Sequence, residues 1–178
     1  YGSAEGGRDY NRANASIRQM HDHHLPPFKA AIDVGAVSIM TSYSELDGIP
    51  ATGDKNLLTN ILRDQWEFTG FVVSDWNSVM EMLPHGFAGD AKDAAKRAAN
   101  AGLDFEMYST ALQDNLPQLI ADKEVEQARI DSAVRRMLRA KIAMGLFDNP
   151  YAEGEEEFLK KEYLETAKQA AVQSFVLL

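Results

Sequence analysis

The most chemically pointed stretch of the chain is a carboxylate set directly after a short apolar run: Gly70-Phe71-Val72-Val73-Ser74-Asp75-Trp76. Phe71 to Val73 is apolar and β-branched enough to predict a buried strand. In a parallel α/β sheet, the residues just past a strand's carboxyl end line the ligand crevice. Asp75 belongs there, with the Trp76 indole beside it as an apolar platform. The same aspartate could instead cap the next helix, a common duty for that residue type. His21, His23 and His24 form a second cluster of chemistry-bearing side chains. Their i, i+2, i+3 spacing does not put three imidazoles on one helical face, and no carboxylate pattern supports them, so they read as solvated histidines at a helix end rather than as a metal centre. The loop Glu5-Gly6-Gly7-Arg8-Asp9-Tyr10 can present Arg8 and Asp9 to a site or merely join two elements.

Positioning Asp75 requires an alternation of strands and helices. Val37-Ser38-Ile39-Met40 predicts a first strand, which runs out through Thr41, Ser42 and Tyr43 into a loop with Asp47-Gly48 and Pro50. Asp54 or Asn56 opens a helix whose apolar face is Leu57, Leu58, Ile61, Leu62 and Trp66. Gly70 then leads into the strand that carries Asp75. A loop with Pro84, His85, Gly86 and Gly89 precedes a helix of small residues (Ala91, Ala94, Ala95, Ala98, Ala99), which lets a helix lie close to a sheet. Gly102 ends it, and Leu103 to Met107 predicts a third strand. Three strands alternating with helices are the βαβαβ signature of a parallel sheet.

Upstream, Ser16 is a good N-cap for a helix bearing Ile17, Met20, Leu25, Phe28, Ala31 and Ile32. Pro26 and Pro27 restart it as a second helix that Gly35 ends. Downstream, Leu112, Leu116, Leu119 and Ile120 mark a helix that Pro117 is expected to kink or divide. Ile130, Val134, Met137, Leu138 and Ile142 mark a stronger one, stopped by Gly145. Phe147-Asp148-Asn149-Pro150 breaks the chain, and the acidic run Gly154 to Glu157 reads as a linker. A helix over about Tyr163 to Gln173 hands over to Ser174-Phe175-Val176-Leu177-Leu178, which reads as a strand. A domain boundary is expected near Pro150 to Glu157.

Composition narrows the partners. The 178 residues are 45% hydrophobic and 25% charged, as in an ordinary globular protein, and the net charge of -9 argues against nucleic acid and against an anionic membrane surface. No apolar run approaches a membrane span. The absence of cysteine removes disulfides and thiolate metal sites and leaves the compartment open. Three strands cannot close a barrel, so the chain is expected to be part of a longer one.

With Leu25-Pro26-Pro27-Phe28-Lys29-Ala30-Ala31, Met40-Thr41-Ser42-Tyr43 and Gly70 through Trp76 in order, the chain resembles glycoside hydrolase family 3, in particular β-glucosidases of the bacterial periplasm. Glu5 to Tyr10, Gly48-Ile49-Pro50-Ala51-Thr52, Ala101-Gly102-Leu103-Asp104 with Met107, and Met144-Gly145-Leu146-Phe147 agree with it, collinearly over nearly the whole chain. The resemblance implies the second half of a (β/α)8-type barrel over residues 1–149. Residues 150–178 then supply a linker and the first helix and strand of an α/β sandwich domain. It implies a retaining β-glycosidase acting on terminal β-D-glucosyl residues of oligosaccharides or aryl β-glucosides, with β-xylosidase or mixed specificity, or a catalytically incomplete sugar-binding remnant, as alternatives. Asp75 takes the place of the nucleophile, Tyr43 that of the tyrosine beside it, Trp76 that of an aromatic wall, and Met107 that of a residue lining the subsite. The implied mechanism needs no metal or organic cofactor, and the implied setting is periplasmic or secreted. A Lys-His-Phe segment upstream of Tyr1 and an acid/base beyond Leu178 are expected from the same pattern. Glu5, Asp9, Glu45 and Glu106 are carboxylates inside the chain, each equally explained by surface or capping duty.

Overall fold

Strand and helix patterns resolve into an α/β fold with parallel strands. A computed structural model describes residues 4–151 and 158–177. Strand β1 (Arg12–Ala13) leads to a helical run made of α1 (Ile17–Gln19), a π-helical segment (Met20–His24) and α2 (Leu25–Asp33). Ser16 closes a capping box: the Gln19 amide donates to its hydroxyl at 3.2 Å, and its own amide donates to Gln19 Oε1 at 2.9 Å. Two of the helix's orphan donors are thereby satisfied. Pro26 and Pro27 occupy the first turn of α2, where a missing N–H costs nothing.

Strand β2 (Ser38–Met40) pairs in parallel with β5 (Phe71–Val73) in the register Ser38↔Phe71, Ile39↔Val72, Met40↔Val73. Between them run β3 (Glu45–Leu46), β4 (Ile49–Pro50) and a π-helix over Asn56–Gln65. The hairpin of β3 and β4 is antiparallel, so the strands are not all parallel. It turns at Asp47 and Gly48, both with positive φ (51° and 79°), a sequence whose preference for tight hairpins is strong. β1 joins this hairpin in parallel, with Arg12 opposite Glu45 and Ala13 opposite Leu46.

The strand expected over Leu103 to Met107 contracts to a single parallel bridge, Val73↔Phe105. Two features explain the contraction. The Asp104 carboxylate takes the Val72 amide at 2.9 Å, filling a ladder position with a side chain. Tyr108 then adopts a left-handed φ of 74°, which turns the chain away.

After β5 come α3 (Ser78–Glu81), α4 (Ala91–Ala101), α5 (Ala111–Ala121) and α6 (Gln127–Ala143). The alanine face of α4 is packing, as its spacing predicts: Ala94, Ala95 and Ala98 are fully buried against Leu58, Leu62, Val72, Leu112 and Leu119. Pro117 does not divide α5; buried Leu112 and Leu119 anchor the helix on either side of the one bond that proline removes. Gly70 is required where it stands, because a Cβ there would lie 2.3 Å from the Val37 carbonyl oxygen.

Asp104 also holds the elements together from inside. Its fully buried carboxylate accepts from Arg63 at 2.7 Å, Arg129 at 3.0 Å and Arg136 at 2.7 Å. Arg63 comes from the π-helix and the other two from α6, so one anion ties both helices to the end of α4. Burial lowers the Arg63 guanidinium to about 10, with the Asp104 charge acting in the opposite direction.

The chain separates into two units, Tyr1–Met144 and Gly145–Leu178. The second holds α7 (Lys161–Ser174), whose described side chains are exposed. Phe175 to Leu177 follow outside any strand among the described residues, in place of the expected terminal strand; a strand needs a hydrogen-bonding neighbour to form. The linker expected over Gly154 to Glu157, and Leu178, lie outside the described residues.

Candidate active site

Three chain segments leave the sheet at the same end and meet. Beyond β2 come Thr41, Ser42 and Tyr43; beyond β5 come Ser74, Asp75 and Trp76; beyond the Phe105 bridge come Met107 and Tyr108. Hydrogen bonds fasten the second segment to the third. The Ser74 hydroxyl is fully buried, donates to the Asp75 carbonyl at 2.9 Å and accepts from the Met107 amide at 2.8 Å. The Asn77 amide donates to the Met107 carbonyl at 3.1 Å, with Asn77 itself in the left-handed region at φ 60°. Met107, half-buried, is thus joined to the Asp75 turn through its main chain.

The Asp75 side chain is half-buried and engages the amide immediately after it, Trp76 N–H to Oδ1 at 2.6 Å. It does not cap α3: the N-cap there is Asn77, and no side chain accepts from that helix's first turn. The Tyr43 phenol donates to the Trp76 carbonyl at 2.7 Å, fixing the peptide next to Asp75 from the neighbouring strand end. Burial foremost, then the hydroxyl of Tyr10 and the charge of Asp75, push the Tyr43 phenol above the ordinary tyrosine range. It therefore remains a neutral donor at any physiological pH.

Two aromatic pairs flank the carboxylate. The Trp76 indole stacks on Tyr108 at a ring-centroid distance of 3.9 Å, and both rings are more than half exposed. Tyr43 stacks on Tyr10 at 4.3 Å. Exposed, mutually stacked rings beside a half-buried carboxylate offer apolar faces and a charge together, a combination suited to a pyranose with its C–H face and hydroxyl rim.

Of the residues singled out from sequence, Tyr43, Asp75 and Trp76 converge, and Met107 is bonded to their turn. Three of the other four carboxylates are engaged elsewhere. Glu106 accepts from the Ser109 hydroxyl and from the amides of Ala111 and Leu112 at 3.2 and 2.7 Å, capping α5. Glu45 pairs with His85 at 3.0 Å, and Glu5 lies 3.8 Å from Arg12. Asp9 is exposed. His21, His23 and His24 lie on the π-helical segment after α1, and no group of three or more potential metal ligands gathers among the described residues. Tyr10 and Tyr108 escaped the sequence reading. So did a buried hydroxyl chain behind the site, in which Thr52 lies 2.9 Å from both Thr41 and Ser78. An apolar cavity of about 100 Å³ under β2, lined by Leu25, Phe28, Met40, Leu57 and Trp66 among others, is separate from Asp75.

Comparison with known proteins gives a consistent result. Residues 1–140 match the glycosyl hydrolase family 3 N-terminal domain. The chain is 36% identical over 184 residues to a periplasmic β-glucosidase of Salmonella typhimurium, covering 97% of this chain and 24% of that protein. It is 36% identical over 185 residues to a putative β-xylosidase of Formosa agariphila, again covering 24% of the relative. Among solved structures, a β-glucosidase from Listeria innocua in complex with glucose superposes with a TM-score of 0.89 at 40% identity, over 99% of this chain and 25% of that one. The chain therefore spans about a quarter of the length of these relatives.

Proposed function

Because the chain belongs to glycosyl hydrolase family 3, we propose that it carries the nucleophile of a retaining β-glycosidase whose substrates are β-glucosides. In this reading Asp75 attacks the anomeric carbon and forms a covalent glycosyl–enzyme ester, which water then hydrolyses. The general acid/base belongs to a segment of the full-length protein outside these residues, about 5–5.5 Å from Asp75 across the glycosidic bond. The nucleophile must stay ionised, and the Trp76 amide donates to it directly. The observation that carries the reading is the Tyr43–Trp76–Asp75 constellation at the strand ends: a carboxylate that accepts from the Trp76 amide, in a turn that Tyr43 holds by the Trp76 carbonyl, flanked by exposed rings.

The family's architecture further leads us to propose residues 1–149 as the second half of a (β/α)8-type barrel and residues 150–178 as the linker and opening of a sandwich domain. The name of the Salmonella relative favours a periplasmic or secreted setting. No described helix is long and apolar enough to cross a membrane. A β-xylosidase is the second reading, favoured by the Formosa relative. The two substrates differ by the hydroxymethyl group at C5.

The test is mechanism-based trapping. Full-length protein incubated with 2-deoxy-2-fluoro-β-glucosyl fluoride, then digested and analysed by mass spectrometry, should carry the label on Asp75. Label on any other carboxylate removes Asp75 from the role. Labelling by the xylosyl analogue alone selects the second reading, and absence of label by either from folded protein selects a sugar-binding remnant.

A further inference from the structure

We propose that Tyr10 is a positioning residue for Asp75, acting through Tyr43: its ring, stacked on the Tyr43 phenol, holds that phenol on the Trp76 carbonyl. The inference rests on the nucleophile reading of Asp75 and adds a residue to it.

Backbone register brings the two tyrosines together. β1 pairs in parallel with β3, Arg12 opposite Glu45. Tyr10 and Tyr43 each stand two residues before this pairing, on the turn and the bend that lead into the two strands. The pairing of β1 with β3 keeps these two segments side by side, and the rings meet with centroids 4.3 Å apart and planes 30° apart.

The loop carrying Tyr10 is built to hold that place. Gly6 and Gly7, with φ of 65° and 67°, fold the chain into a tight turn. The Asn11 amide closes on the Arg8 carbonyl at 3.0 Å, and the Asn11 side chain donates to the Glu5 carbonyl at 3.4 Å. The Arg12 amide donates to the Asn11 side chain at 2.9 Å. Tyr10 itself is 55% exposed, so the core does not account for a large aromatic there. What it does cover is one face of the only side chain seen to bond the Trp76 carbonyl among the described residues.

A phenol on a strand-end loop has two soft torsions, and one stacked neighbour removes much of that freedom. Tyr43 then reaches the peptide next to Asp75 in one orientation. Small displacements of a reacting group are costly in rate even when substrate binding is unchanged.

The experiment measures the rate constant of covalent labelling by the fluoroglucosyl fluoride, and separately its half-saturating concentration, in full-length protein. Tyr10→Leu should slow labelling on the order of ten-fold with half-saturation little changed. Tyr10→Phe, which keeps the stack, should recover most of that loss. In a Tyr43→Phe background, Tyr10→Leu should add nothing, because its route to Asp75 is already cut. Additive losses in the double variant overturn the inference, as does Tyr10→Leu labelling Asp75 at the wild-type rate. Should Tyr10→Leu fail to fold, Tyr10→Phe still decides, since a ten-fold loss there contradicts a role for the ring. Label on a different carboxylate in the wild-type protein overturns the nucleophile reading and this inference together.

Discussion

A phenol beside a carboxylate is useful as a donor only while it keeps its proton. Tyr43 does so because burial, the Tyr10 hydroxyl and the negative charge of Asp75 each disfavour the phenolate. The linkage follows in sign. Its proton is held more tightly in the folded than in the unfolded chain, so the stabilisation is complete below the ordinary tyrosine pKa of about 10 and is lost as pH rises from there through the higher folded value. Tyr43→Phe should therefore flatten the fall in melting temperature above that pH, while lowering the labelling rate on the order of 10²-fold through misplacement of the Asp75–Trp76 peptide. Calorimetry across pH and trapping kinetics check the two halves independently. At this scale the sequence was legible where a residue type stood at a strand end, as with Asp75 and Trp76. Tyr43 was legible only because its motif resembled a family. Tyr10 and Tyr108 were not, because their significance arises from ring-on-ring contact between segments 33 and 32 residues distant from Tyr43 and Trp76. No periodicity reports such a meeting.

At the scale of elements, patterning worked where burial dictates sequence. The alanine stripe of α4, the apolar strand β5 and the capped start of α1 all follow from one-sided packing or from a cap. It failed where polar groups decide. The β3–β4 hairpin turns at Asp47-Gly48 inside a stretch whose polar residues read as loop, and the third strand dissolves because the Asp104 side chain competes for a ladder amide. That aspartate offers the sharpest stability test. Asp104→Asn leaves three partly buried guanidiniums facing one another without a counter-charge, and breaking such a cluster costs about 3–5 kcal/mol. Urea denaturation should register that loss, and Arg136→Lys, more exposed and with its own ammonium, should register much less.

On the scale of the whole molecule, the parallel strands leave apolar surface uncovered. Val37, Met40 and Phe105, on or beside the strands, and Val134, Leu138 and Ile142 along α6 are each more than 40% exposed. Among the described residues no further strand pairs with β2, and that free edge is a template for pairing. The 178-residue chain expressed alone should therefore self-associate, and sedimentation velocity should show species larger than one chain; a clean monomer would mean that these faces are self-sufficient. The bond from Tyr43 has a different reach. It grips residue 76 by a main-chain oxygen, which every amino acid possesses, rather than by the indole. Under the nucleophile reading proposed for Asp75, the anchor beside that carboxylate is thus indifferent to the side chain at position 76, which can be exchanged while the peptide one residue away stays in register.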